Sequence, residues 1–112
     1  MYVDINKDVN LVIIHPSDTY SMFVTLAHIV HPMLVQLKAT SEGYPDNISI
    51  FDTPIAAASD EERWDYVLDE MIWAFEFIRD YYDDFNVSKE ADYIRAQNGL
   101  RLFAKYYFDL WD

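Results

Sequence analysis

The chain has no cysteine and only two glycines in 112 residues. The first absence removes disulfides, thiolate metal sites and thiol nucleophiles together, and leaves no mark of an oxidising compartment. The second leaves little room for a phosphate cradle: no P-loop, no dinucleotide glycine fingerprint and no Gly-x-Ser-x-Gly elbow occurs. Bases are scarce too. Twenty Asp and Glu face eight Lys and Arg, a net charge of -12, which opposes direct contact with nucleic acid or an anionic bilayer and favours a basic partner or none. The start, Met1-Tyr-Val-Asp-Ile-Asn-Lys-Asp8, lacks a basic region followed by an apolar stretch, and no window reaches the length of a membrane span. The expectation is a cytoplasmic protein without membrane or nucleic-acid partners.

What is present is apolar bulk: 52% hydrophobic residues and 17% aromatics, far more than a disordered tail carries. The length fits a single domain, residues 1–112. Tyr2 to Ile5 and Asn10 to His15 are short β-leaning runs around Asn6-Lys-Asp8, so residues 1–17 read as an extended arm or hairpin. Ser17, Asp18 and Ser21 are candidate caps for a first helix running to about Thr40, where Gly43 and Pro45 stop it. Met22, Leu26, Ile29, Met33 and Leu37 share one face of it, and Pro32 predicts a kink or a break. Residues 41–59 lose the helical period and form a long connection holding a short Ile48-Ser-Ile-Phe51 run.

Ser59 and Glu62 form a capping box, with Asp60 and Glu61 in the first turn, where the helix dipole favours negative charge. The second helix starts there and is expected to reach Asp84 or Phe85. A third, capped by Ser88, runs from about Lys89 to Trp111 with Tyr93, Gln97, Leu100, Phe103, Ala104, Tyr107 and Trp111 on one face. Gly99 in its middle costs about 1 kcal/mol against alanine, which points to close approach of another backbone. The architecture expected is mainly α: a kinked first helix, a long two-helix hairpin and a short β-like N-terminal arm.

The second helix is the informative one. Trp64, Leu68, Met71, Phe75, Ile78 and Tyr82 form a core stripe. A second set, Tyr66, Trp73, Phe77 and Tyr81, lies on the other side beside Glu62, Asp65, Asp69, Glu76 and Asp80. Either the first helix or the N-terminal arm covers these rings, or they form a contact surface in which aromatics supply desolvated area and carboxylates steer a basic partner. Twelve acids and three bases between Asp60 and Asp92, a local net of -9, place most of the charge there. Tyr66, Asp69, Trp73, Glu76, Phe77, Asp80 and Tyr81 are thus the candidate partner-binding residues, with Trp73 at the centre.

Chemistry finds weaker footing. His28 and His31 are three apart, a spacing that suits two metal ligands on one side of a helix. Neither Glu-x-x-His nor His-Glu-x-x-His occurs, so the di-iron and zinc-protease patterns are missing. The Glu-x-x-Glu and Glu-x-x-Asp motifs of all-helical nucleotide pyrophosphatases are also not intact. No catalytic trio and no cofactor is indicated.

Three stretches together carry a resemblance: Asp18-Thr-Tyr-Ser-Met22 leading into His31-Pro-Met-Leu-Val-Gln-Leu-Lys38; Arg63-Trp-Asp-Tyr-Val-Leu-Asp-Glu-Met-Ile-Trp-Ala-Phe-Glu76; and Arg95-Ala-Gln-Asn-Gly-Leu-Arg-Leu-Phe-Ala-Lys-Tyr-Tyr107. From Asp18 onward the chain resembles a family of small, acidic, uncharacterised tailed-bacteriophage proteins, which carry a longer and more acidic insert in place of Ser41 to Ser59. The resemblance implies a virus-encoded protein acting in the cytoplasm of an infected bacterium, and it implies no active site. The functional expectation is a non-enzymatic binding module for a host or phage protein, with self-association through the same stripe as the nearest alternative. A metal-dependent hydrolase or nucleotide-acting helical protein, and a virion structural component, are the alternatives from other classes.

Overall fold

Small residues, more than large ones, decide how the helices meet. The computed structural model describes residues 1–5, 10–54, 59–83 and 90–112. In chain order the described elements are strands β1 (Tyr2–Ile5) and β2 (Asn10–Ile13), a 3-10 turn (Pro16–Thr19), helices α1 (Met22–Thr40), α2 (Asp60–Arg79) and α3 (Glu90–Lys105), and a second 3-10 turn (Tyr107–Asp109). The protein is mainly helical with a short antiparallel strand pair at its N-terminus, the expected class. The expected Asn6-Lys-Asp8 turn and the Ser88 cap lie outside the described residues.

Helix α2 starts where its capping box places it: the Glu62 N–H donates to Ser59 Oγ at 3.2 Å, and the Ser59 N–H donates back to Glu62 Oε1 at 3.4 Å. It is the central helix of an open layer. Both α1 and α3 pack on it antiparallel, and they make no close backbone approach to each other. Trp64, Val67, Leu68, Met71, Ala74, Phe75 and Ile78 are buried, so the expected stripe holds as far as Ile78. Tyr82 is the exception: it is 47% exposed, because the helix ends at Arg79 and not at Asp84 or Phe85. Asp80 and Asp83 follow in a turn, and negative charge at a helix C-terminus opposes continuation.

The expected faces of the outer helices hold in part, through Leu37 in α1 and Phe103 in α3, which pack against the core, and otherwise need correction. In α1 the buried residues are Ala27 and Leu34, with Val30 and Leu37 packed against the core, while Met22, Leu26 and Met33 are exposed. In α3 the buried residues are Ala96, Gly99 and Leu102, while Tyr93, Leu100 and Tyr107 are exposed. Each helix is rotated from the reading based on bulk, because Ala27 in α1 and Ala96 and Gly99 in α3 enter the buried face beside Leu34 and Leu102. At Gly99 the fit is closest: an added Cβ would meet the Ala74 side chain and lie 2.7 Å from the Glu70 carbonyl oxygen. The backbone approach that Gly99 suggested is therefore real, and α2 supplies it.

Helix α1 is continuous through Pro32 and does not break there. By length and composition it is also apolar enough to cross a membrane, with a mean hydropathy of 1.3. That corrects the expectation that no window reaches a span. The interrupting His28, His31 and Gln36 are polar without adding charge to the count, and Lys38 is its single charged side chain.

The connection after α1 is packed. Ile48, Asp52 and Thr53 are buried, while Phe51 points outward. Asp52 is the hub: its carboxylate accepts from the Tyr106 hydroxyl at 2.7 Å and the Lys105 ammonium at 2.6 Å, and pairs with Arg101 at 3.0 Å. The Tyr106 hydroxyl accepts in turn from the Ser49 N–H, and Arg63 donates to Thr53. One buried carboxylate thus fixes residues 49–53 on the end of α3.

The strand pair is tied down at its base, where the Met1 amine pairs with Asp18, and not by a buried hub. Tyr2 pairs with Ile13, Val3 with Val12 and Asp4 with Leu11, and the backbone of neither strand comes close to another element. The molecule measures 48 × 46 × 20 Å with a radius of gyration of 15.7 Å, against about 13 Å for a compact domain of this length.

Candidate acidic-aromatic face of helix α2

The side of α2 opposite its buried stripe gathers the residues singled out in the sequence, with Phe77 also packing against the core. Trp73 and Phe77, one turn apart, stack at 5.6 Å with their planes 8° apart, and Phe77 meets Tyr81 edge to face at 6.1 Å. The ladder continues into α1, where Phe23 meets Tyr81 at 5.4 Å and Tyr82 at 6.0 Å. Tyr66, Trp73 and Phe77 are half-buried and Tyr81 is 44% exposed. The second stripe is neither enclosed in the core nor bare: α1 takes one end of it and α3 flanks the other.

The flank is made by a cation. The Arg95 guanidinium sits 4.1 Å over the Trp73 ring and pairs with Glu70 at 2.9 Å, while itself remaining exposed. Such a cation over a tryptophan face is worth about 0.5–1 kcal/mol at an exposed site. Glu70 also accepts from the Tyr66 hydroxyl at 3.2 Å. Burial raises the Tyr66 pKa, and the neighbouring Glu70 charge pushes it further the same way, so Tyr66 stays a protonated donor.

The remaining carboxylates are placed around the ladder. Asp69 and Glu76 are exposed, with Lys38 of α1 reaching Asp69 at 2.5 Å. Asp80 receives two hydrogen bonds from Arg79, at 2.9 and 3.0 Å, and these hold its carboxyl below the usual range. Asp65 and Glu62 extend the acidic edge toward the start of the helix and are likewise exposed. All seven candidate partner-binding residues therefore lie on one side of α2.

The two histidines border this face on the α1 side, close enough to act on the Asp80 charge. His31 Nδ1 stands 3.3 Å from Arg79 Nη1, and since a guanidinium only donates, the imidazole nitrogen accepts. A position next to a fixed cation is poor for a metal ion, and among the described residues no three His, Asp or Glu side chains form a metal-holding group.

The sequence reading missed two features. One is the Asp52 hub, hidden in a stretch with no periodicity. The other is an apolar groove of about 820 Å³ between α1 and the C-terminal segment, lined by Val30, Met33, Leu34, Leu37, Phe103, Tyr107 and Leu110 among others. Its signal was present in α1, which is apolar on more sides than one helix contact can cover. Comparison with protein-family models, with curated proteins and with solved structures finds no match for this chain.

Proposed function

We propose that this is a non-enzymatic binding module that docks a basic surface of another protein on the acidic-aromatic face of α2. The observation that carries the reading is the seat over Trp73. The chain's own Arg95 already lies on that ring and on Glu70, a guanidinium over an aromatic held by a carboxylate, and this supports a preference of the face for basic groups. Beside that seat Glu76, Asp69 and Tyr81 remain exposed to a partner. Rings give desolvated contact area, and the surrounding acids raise the encounter rate with a basic protein. With the resemblance to tailed-phage proteins, the partner is a host or phage protein met in the cytoplasm of an infected cell, including proteins whose basic surface serves nucleic acid.

The test uses arginine-rich peptides carrying one aliphatic residue, titrated calorimetrically into the full chain. The expected result is binding that weakens with salt and falls at least about tenfold in Trp73→Ala and in the Glu76→Gln/Asp80→Asn double variant. Equal affinity in variants that keep the wild-type circular dichroism would remove the site. In infected-cell lysate, wild type and Trp73→Ala should recover different proteins; identical recovery counts against the reading.

A further inference from the structure

Among the described residues two apolar features have no partner element. The first is the N-terminal strand pair. A lone two-stranded hairpin is marginal in water and becomes stable when a third strand or a helix covers an apolar face. Here Tyr2, Leu11 and Ile13 sit on one side and Val3 and Val12 on the other, all between 41% and 54% exposed. Both sides carry exposed apolar side chains, and among the described residues the backbone of neither strand comes near another element. The second feature is the groove along Val30 to Thr40, walled on its far side by Phe103, Tyr107 and Leu110. It exists because α1 and α3 are both held by α2 and not by each other.

The arm does not lie in its own groove. Its base is fixed at the start of α1: the His15 N–H donates to Asp18 at 2.8 Å, and the Met1 amine pairs with the same carboxylate at 3.1 Å. These bonds and the charge beside them hold the Asp18 carboxyl below its ordinary range. The groove begins at Val30, eight residues or about 12 Å further along the helix axis, and continues for about 15 Å more. No described arm residue lines that groove, and among the described residues neither strand makes a backbone approach to α1.

The geometry points to reciprocal exchange: in a two-fold dimer, the N-terminal hairpin of each copy occupies the α1/C-terminal groove of the other. Charge favours a second copy over a basic partner at this surface. Residues 1–41 hold three acids and two bases, a net of -1, whereas residues 42–112 hold seventeen acids and six bases, a net of -11. The arm and the α1 side of the groove are thus nearly neutral, Asp112 is the one charged side chain among the groove's described lining residues, and most of the repelling acids are carried elsewhere. Area is sufficient. With Met1 and Ile14, 39% and 54% exposed, added to the five residues above, the arm offers on the order of 600 Å² of apolar surface, and two reciprocal contacts that cover about two-thirds of it with the groove and its exposed rim, Met33 and Tyr107 among them, remove roughly 1,600 Å², the size of a stable interface. This inference is independent of the α2 face, which stays outside the contact.

The test is light scattering and sedimentation on the full chain at 1 to 100 μM. A species of twice the 13.3 kDa chain mass is expected; a monomer throughout overturns the proposal. Val12→Lys places a charge on the arm and Met33→Glu one in the groove, both at exposed positions, so folding should survive and each should weaken dimerisation at least about tenfold. Mixing the two variants should restore a heterodimer, since one contact is then intact and the other brings opposite charges together. If Met33→Glu dimerises like wild type while Val12→Lys does not, the hairpins pair with each other and the exchange is wrong. Sedimentation of a monomeric chain with neutral phosphatidylcholine vesicles would instead show α1 and the arm to be a lipid-binding surface, which also overturns it. Val12→Lys should bind the arginine-rich peptides as wild type does, so failure here is distinct from failure of the α2 reading.

Discussion

Gly99→Ala sets two effects of known sign against each other. In an isolated helix the change is favourable by about 1 kcal/mol, because alanine loses less backbone entropy. In this protein the new Cβ would collide with the Ala74 side chain and come within 2.7 Å of the Glu70 carbonyl oxygen. Neither obstacle is a flexible side-chain end; both move only if α2 and α3 separate. Separation by about 0.5–1 Å forfeits a quarter to a half of the dispersion energy of each pair across the gap. Leu102 and Met71, both fully buried, sit in that seam. Overpacking of this kind costs about 1–3 kcal/mol and sometimes more, so after the helical gain a net loss of about 1–2 kcal/mol is expected. Urea unfolding followed by circular dichroism and by tryptophan fluorescence reads it as a lower midpoint with an unchanged slope. Adding Ala74→Gly should relieve one collision but not the one with the Glu70 carbonyl, giving a coupling of at least about 0.5 kcal/mol without full rescue. A Gly99→Ala protein as stable as wild type, or more so, would refute the close seam on which the helix arrangement is argued.

Asp52→Asn keeps the shape of the hub but removes its charge, and with Tyr106 buried beneath it the loss of stability should be about 1–3 kcal/mol by the same unfolding assay. The pH dependence follows from that carboxyl. Burial pushes its pKa up, but hydrogen bonds from Lys105, Tyr106 and Arg101 outweigh this and leave it lowered. Its contribution is therefore complete above the unfolded carboxylate value near pH 4 and is lost as pH falls through the lower folded value; the wild-type midpoint should drop there more steeply than that of Asp52→Asn. Arg95→Ala vacates the Trp73 face at a stability cost of no more than about 1 kcal/mol, and should tighten binding of arginine-rich peptides; weaker binding would mean that Arg95 helps to form the site.

How much of this was legible depends on what kind of signal each feature leaves. The start of α2 is written locally in Ser59 and Glu62, and its core stripe from Trp64 to Ile78 repeats at helical spacing, so both could be read directly. The outer helices misled because large side chains were taken to mark the buried face. Ala27, Ala96 and Gly99 mark it instead, since helices approach closely where side chains are small. The second stripe of α2 was visible as Tyr66, Trp73, Phe77 and Tyr81, but the cation over Trp73 was not. It depends on the register of α3 against α2, which Gly99 sets and no local pattern records. Asp52 looked like one acid among twenty; its partners Arg101, Lys105 and Tyr106 lie about fifty residues away.

The chain sorts its surface into two kinds, and salt separates them. If the acidic face of α2 docks a basic partner, that contact is made across exposed charges and should weaken steeply between 50 and 300 mM salt, as the screening length falls from about 14 Å to about 6 Å. If the N-terminal arm meets the groove of a second copy, that contact buries Val12, Ile13, Met33 and their neighbours with almost no net charge in the first 41 residues. It should persist over the same range, and a kosmotropic salt such as sulfate should strengthen it. Salt also screens the seventeen acids carried by the rest of each copy, so repulsion between subunits declines as the apolar contact holds. Peptide affinity and dimer fraction should thus move in opposite directions in one titration of the same sample. If they fell together, both associations would rest on the acidic face, and the two surfaces would have to be treated as one.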